Sequence, residues 1–475
     1  MKVTTERELG ISEVGRRLSL ATVQVIFPSY GILLQRDQRY VAFNPQTFVA
    51  VEINPSARLL LEALREPRMI GEFIEELRGL TGLPPERMAA TAELLQKWLN
   101  DGLLESHPQE RPGLEWRFNP DVGEGPQAVY ISLTSACNQS CSYCFNAVSR
   151  QSQIENQIEL TLEEWKRVLR ELKALGFGQI NFTGGEPLLS PNLKPLVEEA
   201  KRLGLQTKLL TNATLIDEDW ARWMVDYVDM LNISLDGSDP AVHDVLRGSG
   251  TFEQVTEAIR CLVRLGHKAV VVRPVVSRYN VHHLTRLADF IHNDLGCKIG
   301  PPTIYVPNNL TEANAPDTLL PRFEDYFQTI LEFTDYSATL VGRTPWEHPD
   351  LKYACRCGTG STMLSLDSQG DVYPCQAFHS PQMLAGNVGR QSLAEIYQRS
   401  LVLKQLRELP LNTIEHCKDC PLVTVCGTGC RAIAHNLYGH LDAYNELFCP
   451  LYREASYERI WRWIDSSAQF SVISM

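Results

Sequence analysis

The chain has 475 residues and a formal net charge of −12, and 44% of its residues are hydrophobic. This length allows two or three domains, whereas the acidic balance disfavours nucleic acid as a partner, because affinity for phosphates rests on basic side chains. No apolar run approaches the roughly 18 residues of a membrane helix, and no apolar stretch follows the N-terminal charges, so we expect a cytoplasmic protein without a membrane partner.

Residues 1–105 predict a small α+β unit. Its β-rich runs, separated by turn residues, are 23–27, 31–34, 40–43 and 48–52. Its helical patterns are 56–64, 70–77 and 85–103. Asn54 followed by Pro55 is a helix-start signal. Strands followed by short helices favour a winged-helix-like domain, which the Pro- and Gly-rich linker at 106–125 should allow to fold independently.

From residue 126 the pattern becomes a regular alternation of strands and helices. The apolar β-rich runs are 129–133, 180–182, 208–210, 230–233, 269–276 and 303–306. The first intervening helix begins at Thr161, with Glu164 completing a capping box. Alternating elements predict a parallel sheet, and six units are fewer than the eight of a complete barrel. The expected α/β fold is therefore a partial (β/α)6 barrel over 126–309.

The remaining chain predicts a helical bridge at 310–350, a cysteine-rich and loop-dominated domain at 351–455, and a C-terminal helix and tail at 456–475. The sequence contains thirteen cysteines, none of them before Cys137. In a cytoplasmic chain, grouped cysteines indicate metal sites or catalysis rather than disulfides. Cys261 and Cys297 stand alone, and we expect them to be buried and inert.

Three cysteines, Cys137, Cys141 and Cys144, follow the first barrel strand directly. A loop at the carboxyl end of a strand is where barrels build their active sites. Three thiolates at this spacing can hold three irons of a [4Fe–4S] cluster, which leaves one iron open to an exogenous ligand. A zinc knuckle is the alternative, but no fourth Cys or His stands nearby in the sequence.

This triad, with Tyr143 before its last cysteine, resembles the signature of the radical S-adenosylmethionine (radical SAM) superfamily. The resemblance implies that the open iron chelates the amino and carboxylate groups of S-adenosylmethionine. Reductive cleavage would then give a 5′-deoxyadenosyl radical that abstracts hydrogen from a substrate C–H bond. The chemistry belongs to the cofactor, and the protein positions the reactants. The resemblance assigns no catalytic side chain.

Further cofactor-binding positions carry over from the same resemblance. Gly184, Gly185 and Glu186 follow the second strand and match the segment that contacts the methionine amino group. Glycines allow close backbone approach, and a carboxylate favours an ammonium. The other matching positions are Asn212, Ser234, Asp236 and Arg247. Ser234 and Arg247 match residues that bind the methionine carboxylate, although a solvated charge at a helix end is an open alternative for Arg247.

The C-terminal cysteines resemble the SPASM extension of peptide-modifying radical enzymes, which binds two auxiliary [4Fe–4S] clusters. The resemblance implies an outer cluster on Cys417, Cys420, Cys426 and Cys449, and an inner one on Cys357, Cys375 and Cys430. Cys355 is either the fourth inner ligand or leaves that cluster with an open iron. A zinc ribbon built from the Cys417–Cys430 segment is the alternative, and it leaves three cysteines unexplained.

Two features bear on the substrate. Radical enzymes that mature sulfatases carry Asp as a base directly after the cysteine at 375, whereas this chain has Gln376, which disfavours that activity. The N-terminal domain resembles the PqqD-like recognition element of enzymes that modify ribosomally made peptides. Such elements capture a leader peptide by adding a strand to a sheet edge. A winged helix that serves packing or dimerisation is the alternative.

Taken together, these patterns predict an oxidoreductase that cross-links a ribosomally synthesised precursor peptide bound through its leader. A thioether, as in sactipeptide and ranthipeptide maturases, is the first choice, and a carbon–carbon link is the second. The implied cofactors are S-adenosylmethionine and three [4Fe–4S] clusters, with flavodoxin or ferredoxin as reductant. The alternatives are a radical enzyme that matures a folded subunit or cofactor precursor, and a non-enzymatic iron–sulfur electron carrier or peptide scaffold.

Overall fold

The computed structural model describes residues 23–106, 128–144, 159–304, 319–342, 357–410 and 413–466. Cys355 and nearly all of the expected linker lie outside the described residues. Among the helices that are described, none combines the length and the apolar character of a membrane span.

The N-terminal domain has the predicted order of strands and helices. Its elements are β1 (Gln24–Val25), β2 (Ile32–Arg36), β3 (Arg39–Asn44), β4 (Val49–Ile53), α1 (Pro55–Ala63), β5 (Arg68–Met69), α2 (Ile70–Thr81) and α3 (Pro85–Asp101). Strands β2, β3 and β4 form an antiparallel sheet in that order. The Asn54 side chain caps α1 by accepting from the N–H of Ala57. One sheet face and the helices bury an apolar core around Leu61, Leu95 and Trp98.

The central region is the predicted partial barrel. Its elements are β6 (Ala128–Ser132), α4 (Leu162–Ala174), β7 (Gln179–Thr183), α5 (Leu193–Arg202), β8 (Gln206–Thr211), α6 (Glu218–Tyr227), β9 (Met230–Ile233), α7 (Pro240–Arg247), α8 (Thr251–Arg264), β10 (Val270–Val272), β11 (Val275–Val276), α9 (Leu284–Asp289), β12 (Lys298–Ile299) and β13 (Thr303–Ile304). Six strands run parallel in the order β12-β10-β9-β8-β7-β6. Alternate residues such as Val129, Ile180 and Leu231 are fully buried under the helices.

The fifth and sixth strands differ from the prediction. The described part of the sixth predicted run, 303–306, is β13, which lies outside the main sheet. The run at 269–276 is not one strand, because Pro274 lacks the N–H that a continuous ladder needs. β10 remains in the main sheet, whereas β11 leaves it and pairs with β13. β12, which the sequence did not predict, takes the sixth place. The capping box at Thr161 and Glu164 is confirmed, with both hydrogen bonds present.

The C-terminal region contains more regular structure than the expected loops. Its elements are α10 (Phe323–Leu340), β14 (Met363–Leu366), β15 (Asp371–Tyr373), β16 (Gly386–Asn387), α11 (Leu393–Arg399), α12 (Leu401–Arg407), α13 (Glu415–Lys418), α14 (Val423–Cys426), α15 (Arg431–Tyr438) and α16 (Cys449–Ser466). β14 pairs in parallel with β6, and β15 and β16 extend the sheet beyond it. The barrel and the cysteine-rich region therefore share one sheet, which has nine strands in the described residues.

The second face of the N-terminal sheet packs against the C-terminal region. Val41 and Phe43 share an apolar cluster with Val425, Ile460 and Trp461. Charged contacts surround this cluster, with Arg36 bonded to Glu458 at 2.6 Å and Arg39 bonded to Asp465 at 2.8 Å. The N-terminal domain therefore contacts the C-terminal region as well as having a core of its own, and its independent folding stays a prediction.

Substitution of Trp461 tests this interface. This residue is 3% exposed, and the guanidinium groups of Arg36 and Arg39 lie 4.9 and 5.3 Å from its ring centroid. Trp461→Ala should cost roughly 3–5 kcal/mol, the usual loss for truncating a buried tryptophan. Urea unfolding followed by circular dichroism measures the loss, with Leu401→Ala at a site that is 80% exposed as the control. Equal midpoints for the two variants would contradict this packing.

Candidate functional site

The loop that carries Cys137 packs on the glycine turn after β7. Gly185 N–H donates to the carbonyl of Thr134, and Glu186 N–H donates to the carbonyl of Ala136, both at 2.8 Å. A methyl group at Gly185 would overlap the carbonyl oxygen of Ala136, and one at Gly184 would lie 2.5 Å from that of Thr134. The two glycines therefore permit contact between two loops, a role that the sequence did not indicate.

The carboxylate of Glu186 ties this turn to the end of β8. Glu186 is 1% exposed and accepts from Thr211 Oγ1 at 2.7 Å, Asn212 N–H at 2.8 Å and Leu188 N–H at 3.2 Å. Burial raises its pKa to about 7, although these hydrogen bonds oppose the rise. A carboxylate offers about four acceptor positions. One position is thus left for an external donor such as an ammonium.

The side chain of Asn212 reaches the cysteine loop itself. Its Nδ2 donates to Asn138 Oδ1 at 2.9 Å, and Asn138 Nδ2 donates to Thr214 Oγ1 at 2.8 Å. Asn138 and Thr214 were not predicted, because neither position carries a distinctive spacing. Ser234 is half-buried at the end of β9, where its N–H donates to the carbonyl of Thr211 at 3.2 Å. These contacts gather the ends of three strands around the cysteines.

Asp236 fixes the other side of the cysteine loop. Its fully buried carboxylate accepts from Tyr143 Oη, from Arg247 Nε at 2.5 Å and from Val275 N–H at 2.8 Å. Arg247 is 7% exposed, so the alternative of a solvated helix-end charge is wrong. Burial alone would lower the pKa of Arg247, but Asp236 and Tyr143 hold it above the usual value.

Tyr143 joins the cluster loop to this ion pair. Burial raises the pKa of Tyr143 well above the usual value, so its hydroxyl stays protonated and donates. The adjacent Ser142 N–H donates to the carbonyl of Leu246 at 3.0 Å, at the end of α7. The sequence identified Asp236 and Arg247 as cofactor-binding positions but not their contact with each other.

The three cysteines of the loop lie close together. Burial raises the pKa of Cys141, and the charges of Cys144 and Cys137 raise it further against the opposing charge of Arg247. Cys144 N–H donates to the carbonyl of Cys141 at 3.1 Å, which closes a tight turn. The three thiols could therefore bind one cluster.

The C-terminal cysteines form two groups, and these are the sets that the resemblance implied. In the inner set, burial raises the pKa of Cys375 to about 12, and the charges of Cys357 and Cys430 contribute to the rise. In the outer set, burial raises the pKa of Cys426 to about 12, with contributions from Cys417, Cys420 and Cys449. Cys355 lies outside the described residues, so the fourth inner ligand stays a prediction.

Convergence on a single metal ion is not found. Within the described ranges, no three His, Cys, Asp or Glu side chains close around one ion position. A structural zinc site needs tetrahedral convergence of its ligands. The described cysteines thus give no support to the zinc knuckle or the zinc ribbon.

Arg431 lies between the two C-terminal sets. It is 1% exposed and donates to the carbonyls of Thr428, Ala443 at 2.9 Å and Leu441 at 3.2 Å. Burial lowers its pKa, whereas the charges of Cys417 and Cys430 raise it. One buried cation is therefore within electrostatic range of both sets.

The two isolated cysteines are buried, as predicted. Cys261 is 7% exposed and Cys297 is 9% exposed, and both pack in the barrel core. Burial raises the pKa of Cys297 to about 12, which keeps that thiol protonated at neutral pH.

Comparison with known proteins assigns both regions. Residues 131–291 match the model of the radical SAM superfamily, and residues 355–421 match SPASM, an iron–sulfur cluster-binding domain. These two regions of the chain are therefore a radical SAM domain and a SPASM domain. These domains imply S-adenosylmethionine and iron–sulfur clusters as its cofactors, and the three grouped cysteine sets fit such clusters.

Proteins similar to this chain span most of its length. It is 29% identical over 340 residues to the PqqA peptide cyclase of Streptomyces rochei, covering 68% of this chain and 89% of the relative. It resembles the structure of Streptococcus suis SuiB bound to its precursor peptide SuiA, with 17% identity, a TM-score of 0.57, and coverage of 90% and 99%. It also resembles anSMEcpe with bound AdoMet and a peptide, with 20% identity, a TM-score of 0.55, and coverage of 72% and 97%.

The glycine turn provides a test of how the cysteine loop is held. In Gly185→Ala the new methyl group would collide with the carbonyl of Ala136 and displace the loop that leads to Cys137. We expect the iron content after anaerobic reconstitution to fall by about four atoms per chain, the content of one cluster. Gly178→Ala is the matched control, because its methyl group would meet nothing within 4 Å. Full iron content in Gly185→Ala would contradict this account.

Proposed function

We propose that this enzyme modifies a ribosomally synthesised precursor peptide by joining two of its residues. The observation that carries the proposal is the grouping of ten described cysteines into one loop triad and two C-terminal sets beside a single barrel. A peptide cyclase and two peptide-bound enzymes are among the proteins it resembles. A thioether is the preferred product, and a carbon–carbon link is the second choice.

The proposed cluster ligands follow the three groups. Cys137, Cys141 and Cys144 would hold the cluster that binds S-adenosylmethionine, the inner set would hold one auxiliary cluster, and the outer set the other. When bound, these groups supply a hydrogen-abstracting 5′-deoxyadenosyl radical and one-electron transfer. A cross-link between a C–H and an S–H or second C–H group removes two hydrogens. One would be taken up as a hydrogen atom by the 5′-deoxyadenosyl radical, giving 5′-deoxyadenosine, and the other would leave as a proton, with an auxiliary cluster as the acceptor for its electron.

The chain's own residues would orient the cofactor. The open acceptor position on Glu186 suits the methionine ammonium, and the half-buried hydroxyl of Ser234 suits the carboxylate. Asp236 already engages Arg247, so this arginine would act on the carboxylate through its remaining nitrogens. A low-potential reductant such as flavodoxin or ferredoxin would supply the first electron.

The leader peptide would bind along β2, an edge strand of the N-terminal sheet in the described residues. Its antiparallel register with β3 ends in a two-residue turn, so the backbone groups of Leu33 and Gln35 point away from β3. A cleft of about 400 Å³ lies beside these residues, between β2 and α1, and Tyr40 and Arg58 help to line it. An extended peptide could therefore add a strand here and place side chains in the cleft.

Cluster loading and peptide conversion test the function. The wild type should bind about twelve irons per chain, and the triple variant Cys137→Ala/Cys141→Ala/Cys144→Ala about eight. The triple variant should form no 5′-deoxyadenosine, because its first cluster loses all protein ligands. With the peptide encoded by a small reading frame beside the gene, the wild type should yield a product lighter by two hydrogens. An unchanged peptide, with modification of a folded protein instead, would favour the alternative maturase.

The leader site has its own test. Gln35→Pro removes an outward N–H without breaking the pairing of β2 with β3, and its ring would obstruct an added strand. We expect leader affinity, measured by fluorescence anisotropy, to fall roughly tenfold, more than the loss of one hydrogen bond alone would give. Gln35→Ala keeps the N–H and should bind like the wild type. Equal affinities for all three proteins would exclude β2 as the docking strand.

A further inference from the structure

The inner face of the barrel holds nitrogen donors that the site described above does not use. Tyr130 on β6, Asn181 on β7 and Lys208 on β8 pair in register across neighbouring parallel strands. Residues in register share one face of a sheet, about 4.8 Å apart. The alternate residues of these strands are buried under the outer helices. This layer therefore faces the barrel interior.

A second cation reaches this layer from β10. Arg273 follows β10 directly, and its Nε donates to Asn232 Oδ1 at 3.3 Å. Gly300 makes room for this side chain, because a methyl group there would lie 2.7 Å from Arg273 Cγ. Burial lowers the pKa of Lys208, and the charge of Arg273 lowers it further. The two cations are thus close enough to repel each other.

These donors lack a matching acceptor within the described part of the chain. Asn181 is 1% exposed; its Oδ1 accepts from Gln179 Nε2 at 2.7 Å, while its Nδ2 has no hydrogen-bond partner. No carboxylate contributes to the pKa of Lys208. Arg273 donates to a neutral amide. The buried amide donor of Asn181 is costly without a partner, and the two neighbouring half-buried cations add mutual repulsion. An anionic acceptor would pair with the amide donor and would offset the repulsion between the two cations.

The position of the layer relates it to the chemistry. Tyr130 and Asn181 lie two residues before the ends of β6 and β7. These two strands lead into the cysteine loop and into the turn at Glu186. On the other side, the charge of Cys375 reaches Tyr130 and raises its pKa, in addition to the larger effect of burial. A group bound here would sit between the loop triad and the inner cysteine set.

We infer that Asn181, Lys208 and Arg273 form a binding site for a carboxylate of the substrate. The identity of that substrate as a peptide rests on the proposed function. The carboxylate is either an Asp or Glu side chain or the C-terminus of the peptide, since both present the same two oxygens. An ammonium, a guanidinium and an amide N–H are the donors that hold a carboxylate most strongly. Binding here anchors the peptide beside the residue that reacts.

Small carboxylate probes distinguish the two sources. Ligand-observed NMR with the cluster-loaded enzyme compares N-acetylglutamic acid α-amide, N-acetylalanine and the neutral N-acetylalaninamide. The wild type should bind one of the two carboxylate probes more tightly than the other and should not bind the neutral one. Lys208→Gln and Arg273→Gln should each weaken that binding roughly tenfold or more, because each removes a charged hydrogen bond. Lys208→Arg keeps the charge and should retain binding, as should Lys404→Gln on the exposed face of α12.

A further variant supplies the carboxylate from a protein side chain. Asn181→Asp places a carboxylate beside Lys208 and Arg273, so it should abolish probe binding while the thermal midpoint stays at or above that of the wild type. Without cations nearby, a buried carboxylate would lower the midpoint.

Equal binding of the three probes, unchanged binding in both Gln variants, or a lowered midpoint in Asn181→Asp would each overturn the inference. Conversion of the precursor by the wild type is scored separately. If the carboxylate probes fail but the precursor is converted, the proposed function stands and the carboxylate site is refuted. If the precursor is not converted but the carboxylate probes bind as expected, the carboxylate site stands and the proposed function is refuted.

Discussion

The cysteine loop depends on two buried carboxylates at the ends of the barrel strands. Burying a carboxylate is costly unless each oxygen finds a donor. Glu186 meets that requirement with three neutral donors, and Asp236 meets it with Tyr143 and the cation Arg247. Asp236 would lose the Tyr143 donor if the cysteine loop moved away, whereas Glu186 fixes the turn on which that loop packs. The placement of the loop triad is therefore a consequence of hydrogen-bond satisfaction rather than of loop sequence alone.

The sheet shared by the barrel and the C-terminal region brings the cysteine sets close to one another. Because β14 pairs with β6, the strand that leads into Cys137 lies next to the strand pair that leads into Cys375. The N-terminal sheet in turn packs on α14 and α16, whose residues include Cys426 and Cys449. The N-terminal domain thus contacts the two helices that carry Cys426 and Cys449.

Sequence patterns predicted what is encoded locally. The resemblance to the SPASM extension implied the inner and outer cysteine sets, and a capping pair located the start of α4. Contacts between distant segments were missed, because local sequence does not indicate them. The residues near Leu364 do not indicate its pairing with Val129, and those near Asp236 do not indicate its hydrogen bond to Tyr143. The glycines of the turn were predicted to contact the cofactor, and the structure gives them a second role. They accommodate the backbone of residues 134–136, which only the folded chain brings there.

Charge placement gives a last constraint. The chain has a net charge of −12, so surface cations find carboxylates easily. Arg431 nevertheless lies buried among carbonyls and thiols, and Lys208 and Arg273 face the barrel interior without a carboxylate in the described residues. Cations in such positions favour anionic neighbours. In the function that we propose, thiolate-ligated clusters, which are anionic, would lie beside Arg431, and a substrate carboxylate would lie beside Lys208 and Arg273. Binding of these groups should stabilise the fold, because they would bind the folded chain in preference to the unfolded one.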